Sequence, residues 1–276
     1  MNRFSLNTWS LHELLGPSRM TRRKSPSAGL VDVIEPHPEE IPLVELPALL
    51  AGRGIGWVDI CHFHIPSTDE TYLESLRAAL ERAGVGLYSL LIDFGSLVQP
   101  GGEQREIEIA WVSEWIRRAG LLGAKCARVV AGETSPGDKD AMERAVEGYL
   151  RLADVADDAG VRLLTENLGP FTTHVETLLE LLDRLDGRVG LVADFGNGRR
   201  PGEYEGLERL LPKAESVHAK PEINEGGDLA EDDFAACVRL AERAGFSGPY
   251  TLVYRGPIDP WEGIARTKRA VERVIA

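Results

Sequence analysis

The sequence has few cysteines and no long apolar run. Its three cysteines, Cys61, Cys126 and Cys237, are odd in number, far apart and embedded in apolar segments. A disulfide framework is therefore not expected, and buried thiols in a reducing compartment are. No run of about 18 apolar residues is present, and residues 1–10 (MNRFSLNTWS) lack the apolar core of a signal peptide. These absences predict a cytoplasmic protein without a membrane span.

Basic residues and several common motifs are also scarce. The chain has 31 Lys and Arg against 44 Asp and Glu, a net charge of −13. This excess repels phosphate backbones and anionic membrane surfaces, so neither nucleic acid nor a membrane is an expected partner. There is no G-x-x-x-x-G-K-[ST] loop, no G-x-S-x-G elbow and no strand–G-x-G-x-x-G–helix unit. Phosphate-cradling loops, serine hydrolases and dinucleotide binding therefore lack support.

What the sequence does contain is one alternation repeated eight times. A short apolar, β-branched run is followed by a longer amphipathic segment with a period near 3.6, the pattern of βα units around a parallel sheet. Strands are predicted at 3–10, 56–62, 85–92, 125–131, 161–167, 189–195, 215–220 and 249–255. Helices are predicted at 69–83, 104–122, 140–159, 232–244 and 261–275. The pattern predicts an α/β fold, a single (β/α)8 TIM barrel that forms one domain over residues 1–276.

One stretch departs from this rhythm. Between the first strand and a helix at about 42–52 lie roughly thirty residues, including MTRRKSPSAG and IEPHPEEIP. This is long for a βα loop, and loops at this face of a barrel often form substrate lids. A solvated insertion carrying the basic run Arg22, Arg23 and Lys24 is an equally good interpretation.

Three consecutive predicted strands end in residues that can bind a cation, namely Glu166, Asp194 and His218. The carboxyl ends of barrel strands open onto one mouth, so these side chains are expected to converge. A divalent cation would remove the cost of burying two carboxylates together. Two carboxylates and one imidazole suit Mn, Mg, Co or Zn. Taken singly, each residue is as well explained as a helix cap, an ion-pair partner or a core histidine.

Three short motifs add a family resemblance. T-E-N at 165–167, D-F-G-N at 194–197 and H-A-K at 218–220, together with the eightfold alternation, resemble the xylose isomerase-like TIM barrels of the sugar (phosphate) isomerase/epimerase superfamily. In that family a divalent metal is typically held by Glu, Asp, His and Glu from strands 5 to 8. The two glutamates flank the reacting carbon as acid and base.

The resemblance implies that Glu166, Asp194 and His218 are the first three ligands of one divalent cation. The fourth is missing, because the last strand has Val253 where the family pattern has glutamate. A water or a loop group could complete the coordination and leave an open, Lewis-acidic site. Alternatively, Arg255 pairs with Glu166 or grips an anionic substrate. The third alternative is that catalysis was lost.

The resemblance also implies roles for other residues near the mouth. His62 and His64 are expected to point the same way, His62 as a proton carrier and His64 as a substrate contact, with packing under a loop as the alternative. Lys220 is expected to stabilise charge on an enediolate oxygen, or else to pair with a neighbouring acid. From their own side-chain chemistry, the other expected substrate contacts are Asn167, Asn197, Arg255 and Trp9. The alternative for Asn197 is that it shapes the turn after Gly196, and the alternative for Trp9 is core packing.

The function implied is that of an isomerase or epimerase. It would act on a sugar, polyol or related hydroxy-carbonyl compound by moving a proton next to a carbonyl, with Glu166 or a nearby histidine as the base. A dehydratase or lyase is also compatible, because one base suffices for elimination. A non-catalytic carbohydrate-binding barrel is the alternative. An abasic-site endonuclease, which shares the fold, conflicts with the −13 charge and the six histidines. A homo-oligomer is left open.

Overall fold

Eight parallel strands close into a barrel in the computed structural model, which describes residues 3–25 and 27–275. The strands in chain order are β1 (Phe4–Asn7), β2 (Ser18–Arg23), β3 (Leu30–Glu35), β4 (Trp57–Cys61), β5 (Gly86–Ile92), β6 (Cys126–Val129), β7 (Arg162–Glu166), β8 (Gly190–Asp194), β9 (Ala214–Ala219) and β10 (Tyr250–Leu252). All of them except β2 and β3 belong to the barrel, in sequential order, with β10 pairing back onto β1. The eight predicted strands are confirmed to within three residues at each end. The ends of the predicted domain 1–276 lie outside the described residues.

Nine helices accompany these strands in the described part of the chain. They are α1 (Leu46–Ala51), α2 (Glu70–Ala83), α3 (Glu103–Leu121), α4 (Lys139–Ala159), α5 (Gly169–Thr172), α6 (Val175–Arg184), α7 (Glu205–Leu210), α8 (Glu231–Arg243) and α9 (Pro260–Ile275). The five long predicted helices are confirmed to within one residue at each end. Within the described residues, no helix is both long and apolar enough to cross a bilayer.

Helix α2 shows why the helices could be located so closely. Leu73, Leu76 and Leu80 recur at helical spacing and are all buried against the barrel. The helix ends at Gly84, which adopts the left-handed conformation that glycine tolerates best (φ +64°). At the other end, Asp69 occupies the N-cap with extended backbone angles, but its side chain accepts from the Ser67 hydroxyl instead of capping the helix.

The segment expected to be a long loop forms a β-hairpin instead. Strands β2 and β3 pair antiparallel from Ser18 opposite Glu35 to Arg23 opposite Leu30. The sequence did not predict the hairpin because β2 (SRMTRR) lacks the alternating apolar residues of a half-buried strand. Strand β3 also lacks a buried apolar face, since its side chains Val31, Val33 and Ile34 are exposed. The basic residues near its tip are exposed, as a solvated insertion predicts.

The inside of the barrel is layered along the strand direction. Cys126, Leu164 and Val192 form a small apolar cluster in the interior. Two residues further along the same strands come Arg128, Glu166 and Asp194. Since residues two apart on a strand share a face, these three polar side chains also point inward, one step nearer the mouth. The barrel therefore has an apolar floor beneath a charged layer. The three cysteines are free and buried, as predicted.

Candidate active site

The charged layer brings the three predicted ligands together. Asp194 on β8 pairs in register with His218 on β9, and Glu166 ends the neighbouring strand β7. His218 Nδ1 lies 3.3 Å from Glu166 Oε1 and 3.7 Å from Asp194 Oδ2. Each of the three side chains is at least 96 % buried. The sequence-based expectation that these side chains converge is therefore matched by the geometry.

These three atoms have the spacing and chemistry of metal ligands. Two atoms that each lie about 2.1 Å from one cation are about 3.0–3.4 Å apart in tetrahedral or octahedral geometry. The observed separations are close to that range, and ligand atoms of all three residues lie within 4.8 Å of one another. The remaining atoms of two of these side chains face charged groups instead, Glu166 Oε2 towards Arg128 and His218 Nε2 towards Asp59. The donor set therefore fits one divalent cation.

A buried arginine that the sequence analysis did not single out is part of the site. Arg128, on β6, places Nε 3.0 Å from Glu166 Oε2 and Nη1 2.6 Å from Asp93 Oδ1. Burial raises the pKa of Asp93, but the charge and hydrogen bond of Arg128, together with the charges of His62 and His218, outweigh burial and lower it overall. For Glu166, burial is likewise outweighed by the charges of His218 and Arg128, so its pKa is also lowered. Arg128 thus helps to hold Asp93 in its ionised form, and His218 and Arg128 together do so for Glu166.

A fourth carboxyl group lies beneath the histidine. Asp59, at the middle of β4, is fully buried and accepts hydrogen bonds from the hydroxyls of Ser5 and Thr251. Its Oδ2 is 3.7 Å from His218 Nε2, too far for a hydrogen bond but close enough for charge attraction. Burial alone would lower the pKa of His218; the charge of Glu166 and contacts with Asp194 and Asp59 raise it well above its usual value. A cation at Nδ1 would therefore displace a proton.

A cavity of about 280 Å³ opens directly above these groups. Its apolar walls come from Trp9, Met20, Phe63, Leu168 and Val253. Met20 belongs to the β2–β3 hairpin, so the hairpin forms part of the cavity wall, as a lid would. Ligand pockets are usually about 300–1,000 Å³. The cavity thus has room for a small molecule of sugar size.

Two of the expected polar residues line the cavity. Lys220 Nζ donates to Asn197 Oδ1 at 3.1 Å, and Asn197 Nδ2 in turn lies 3.3 Å from Glu166 Oε1. Asn167 does not line the cavity. Its Nδ2 donates to the carbonyls of Asp194 and Asn197, and its Oδ1 accepts from the Asp194 amide. With both ends of its amide occupied, Asn167 positions the ligand-bearing loop instead of binding substrate, which corrects the prediction.

The expectation that His62 and His64 point the same way is wrong. They lie two residues apart in a short 3-10 turn after β4, and with three residues per turn such side chains point in different directions. His62 packs edge-on against the rings of both Trp111 and Trp115, where burial lowers its pKa to about 4. His64 contacts Thr8 and His12. Neither histidine lines the cavity, so His62 is not positioned as a proton carrier, nor His64 as a substrate contact.

Arg255 also lies elsewhere than expected. Strand β10 ends at Leu252, so the chain has left the barrel wall before it reaches Arg255. The guanidinium stacks 4.8 Å from the Trp9 ring and lies 3.8 Å from Glu13 Oε1. The Glu166 charge is balanced by Arg128 instead. Trp9 itself lines the cavity, as predicted, so Arg255 reaches the site only through Trp9.

The sequence analysis did not identify three charged residues of the site, although the sequence around each of them contains a weak indication. Asp59 and Arg128 stand alone in apolar strands (WVDIC and CARV), and Asp93 directly follows the apolar end of β5. A charge in a buried strand is costly unless it is paired, so such residues indicate a partner. The sequence does not show which partner it is.

Comparison with known proteins agrees with this architecture. A model of the xylose isomerase-like TIM barrel family matches residues 47–273. A Streptomyces coelicolor protein named "Putative hydroxypyruvate isomerase" is 28% identical, covering 80% of this chain and 88% of its own.

The chain belongs to the xylose isomerase-like TIM barrel family.

Solved structures show the same fold. A xylose isomerase-like TIM barrel protein from Mycobacterium smegmatis in complex with magnesium has a TM-score of 0.71, with 17% identity over 99% of this chain and 97% of its own. The 3-keto-D-glucoside 4-epimerase of E. coli has a TM-score of 0.67, with 15% identity over 84% of this chain and 94% of its own. At these identities the likeness concerns the fold alone.

This member of the xylose isomerase-like family departs from the expected four-ligand pattern at β10. Val253 lines the cavity at the place where the fourth glutamate was expected. Its side chain can neither bind a cation nor carry a proton. The negative charge of the family's second glutamate is therefore absent at position 253. The first glutamate, Glu166, has the positive charge of Arg128 beside it.

We expect Arg128→Met to destabilise the fold, because it leaves the buried Glu166 and the three-quarters buried Asp93 without their cation. The loss should be about 3–5 kcal/mol at neutral pH. The pKa values of Asp93 and Glu166 are lowered from their ordinary values of 3.8 and 4.5. The stabilisation of the fold by Arg128 is therefore complete above these ordinary values, and it is lost as the pH falls through the lowered pKa values. The difference between wild type and variant should therefore shrink in acid. Urea unfolding with a chelator present, from pH 7 to pH 3, measures it.

Arg162→Met is the matched control. Arg162 pairs with Glu215 in the barrel wall, but both side chains are more than a third exposed. Such a pair contributes about 0–1 kcal/mol. Equal losses in the two variants would show that the Arg128 charge is not needed inside the barrel.

Proposed function

We propose that the protein is a metal-dependent isomerase that acts on a small hydroxy-carbonyl compound, such as a sugar or a hydroxy-keto acid. The observation that carries this proposal is the convergence of Glu166, Asp194 and His218 at the floor of a cavity of sugar size. Family membership and the name of the Streptomyces coelicolor relative support it.

Glu166, Asp194 and His218 would hold the cation through Oε1, Oδ2 and Nδ1. A bound divalent cation supplies Lewis-acid chemistry, which acidifies a C–H next to a carbonyl. With three protein ligands, positions remain open for substrate oxygens or water. Mn²⁺, Mg²⁺, Co²⁺ and Zn²⁺ all suit this donor set.

The single carboxylate base favours isomerisation over epimerisation. Inversion at one carbon removes a proton from one face and returns one to the other, so it needs groups on both sides of the substrate. Transfer between adjacent carbons needs one base on one face. Glu166 can take the proton from the hydroxyl-bearing carbon and return it to the former carbonyl carbon, while the hydroxyl proton passes between the two oxygens. Val253 offers no second base.

Lys220 and Asn197 would assist this transfer. Lys220 Nζ lies at the cavity wall, held by Asn197 Oδ1. An ammonium in a water-poor cavity stabilises the negative charge that develops on an enediolate oxygen. Trp9, Phe63 and Leu168 would cover the substrate and limit the access of water.

Metal binding tests the premise. Titration with Mn²⁺ in a calorimeter should show about one tight site per chain, and His218→Ala should abolish it because two carboxylates alone make a weak site. His174→Ala is the control, since His174 caps α6 through Thr177, away from the barrel interior. If wild type and His218→Ala bind Mn²⁺ equally, the three residues are not the ligands.

Proton abstraction tests the chemistry. Incubated in D₂O with hydroxypyruvate and a panel of aldoses and ketoses, the Mn²⁺-loaded protein should exchange a substrate C–H and form the isomer with the carbonyl on the neighbouring carbon, as followed by proton NMR. Lys220→Met should lower kcat about 10²-fold or more, as expected for loss of a donor to a developing oxyanion. Lys213→Met, which removes only an exposed ion pair with Asp183, should leave kcat unchanged. Formation of an epimer without the isomer would contradict a one-base mechanism.

A non-catalytic carbohydrate-binding barrel is the second candidate. It is favoured by the pairing of Glu166 with Arg128, which weakens Glu166 as a base, and by the presence of Val253 in the cavity wall. In that case the unmodified protein exchanges no substrate proton, and Val253→Glu gains exchange because it restores an acid facing the cavity. Val253→Gln, which has the same size without the charge, should gain none. Turnover by the unmodified protein would end this alternative.

A further inference from the structure

A second cluster of metal-binding side chains lies outside the cavity. His12 belongs to the 3-10 turn after β1, Glu35 ends β3, and His37 follows it. One ligand atom from each lies within 4.8 Å of the others. None of the three lines the cavity above Glu166. The cluster joins the base of the hairpin to the mouth of the barrel.

His12 is held in a fixed orientation by its neighbours. Its Nδ1 lies 2.9 Å from His64 Nε2, and His64 Nδ1 lies 2.9 Å from Thr8 Oγ1. Thr8 Oγ1 also accepts from the Cys61 amide, so it can serve as the final acceptor of this chain. When His12 Nδ1–H donates to His64 and His64 donates to Thr8, the lone pair of His12 is on Nε2. A histidine ligand is commonly oriented through its other ring nitrogen in this way.

The other two side chains also have binding atoms to spare. His37 packs edge-on against His12, with ring centroids 4.4 Å apart, and its Nε2 is buried without a hydrogen-bond partner among the described residues. Glu35 accepts from Arg22 through Oε1 at 2.9 Å, which leaves Oε2. A buried, unsatisfied ring nitrogen is costly unless something binds it.

We propose that His12, Glu35 and His37 bind a zinc ion that fastens the hairpin to the barrel mouth. Two imidazole nitrogens and one carboxylate are a common zinc set, with water in the fourth position. This donor set is softer than the two carboxylates and one imidazole beneath the cavity, and imidazole-rich sites favour Zn²⁺ over Mg²⁺ or Mn²⁺. Glu35 and His37 are only partly buried, so an ion can enter from solvent.

Two arginines near the cluster oppose the ion and set a limit on its affinity. Arg22 pairs with Glu35, and the charge of Arg255 acts on His12. The guanidinium of Arg22 is more than half exposed and that of Arg255 more than a third, so solvent screens both. Glu13, which contacts Arg255, offsets part of its charge.

An ion at this position would also influence the cavity. Residues Ser18–Arg23 of the hairpin include Met20, which forms part of the cavity wall. The hairpin is joined to the barrel through its base, where Glu35 and His37 lie. Zinc would therefore fix the wall of the cavity without touching a bound substrate.

Zinc stoichiometry tests the site. The protein is saturated with Zn²⁺, freed of excess metal by gel filtration, and analysed by mass spectrometry of the metal. We expect about two zinc ions per chain in the wild type, one in His37→Ala, one in His218→Ala and none in the double variant. His174→Ala, the control, should keep two. If His37→Ala retains as much zinc as the wild type, or if His218→Ala retains none, the second site does not exist. Because the two variants are scored separately, failure of either site is seen independently.

Limited proteolysis tests the fastening. Arg22, Arg23 and Lys24 are exposed at the hairpin tip and offer bonds to trypsin. Saturating zinc should slow cleavage at these bonds about tenfold or more in the wild type and in His218→Ala. The reason is that zinc binds only while the hairpin is attached to the barrel, so it lowers the population of molecules with a detached, cleavable hairpin. It should have no effect in His37→Ala. Equal rates with and without zinc in the wild type would overturn the fastening.

Discussion

The site depends on how charge is balanced inside the barrel. Asp59, Glu166 and Asp194 are buried close together near the mouth, where few water molecules can solvate them, and Asp93 lies beside them with a quarter of its side chain exposed. Buried carboxylates require positive charge close by. Arg128 balances Asp93 and Glu166 through direct contacts. His218 lies 3.3 Å from Glu166, 3.7 Å from Asp194 and 3.7 Å from Asp59. The charge left over is what a divalent cation would neutralise.

This balance differs from the pattern that the family resemblance implies. A second glutamate on the last strand would add a base and a ligand, whereas Val253 adds neither. Arg128 further lowers the proton affinity of the remaining glutamate. The two features act in the same direction, because both reduce the basic groups available to a substrate. Under the proposed function, they favour a transfer along one face of the substrate over inversion at one carbon.

The hairpin connects the cavity to the side chains of the proposed zinc site. It was expected as a loop, yet its strands pair over six residues and place Met20 in the cavity wall. Its base brings Glu35 and His37 to His12, a histidine that the first strand delivers to the mouth. His64, once expected beside a substrate, instead orients His12. The rim of the barrel thus has a polar network of its own, separate from the cavity floor.

The sequence by itself determined the order of the elements, the closed barrel and the meeting of Glu166, Asp194 and His218. These follow from local patterns, since apolar periodicity sets each element and parallel strands of a barrel all end at one mouth. Only the tertiary structure decided that Arg128 pairs with Asp93 and Glu166, that His62 turns into the helix layer, and that Arg255 stacks on Trp9. Those contacts depend on side-chain directions and strand register between residues far apart in the chain. No local pattern contains that information.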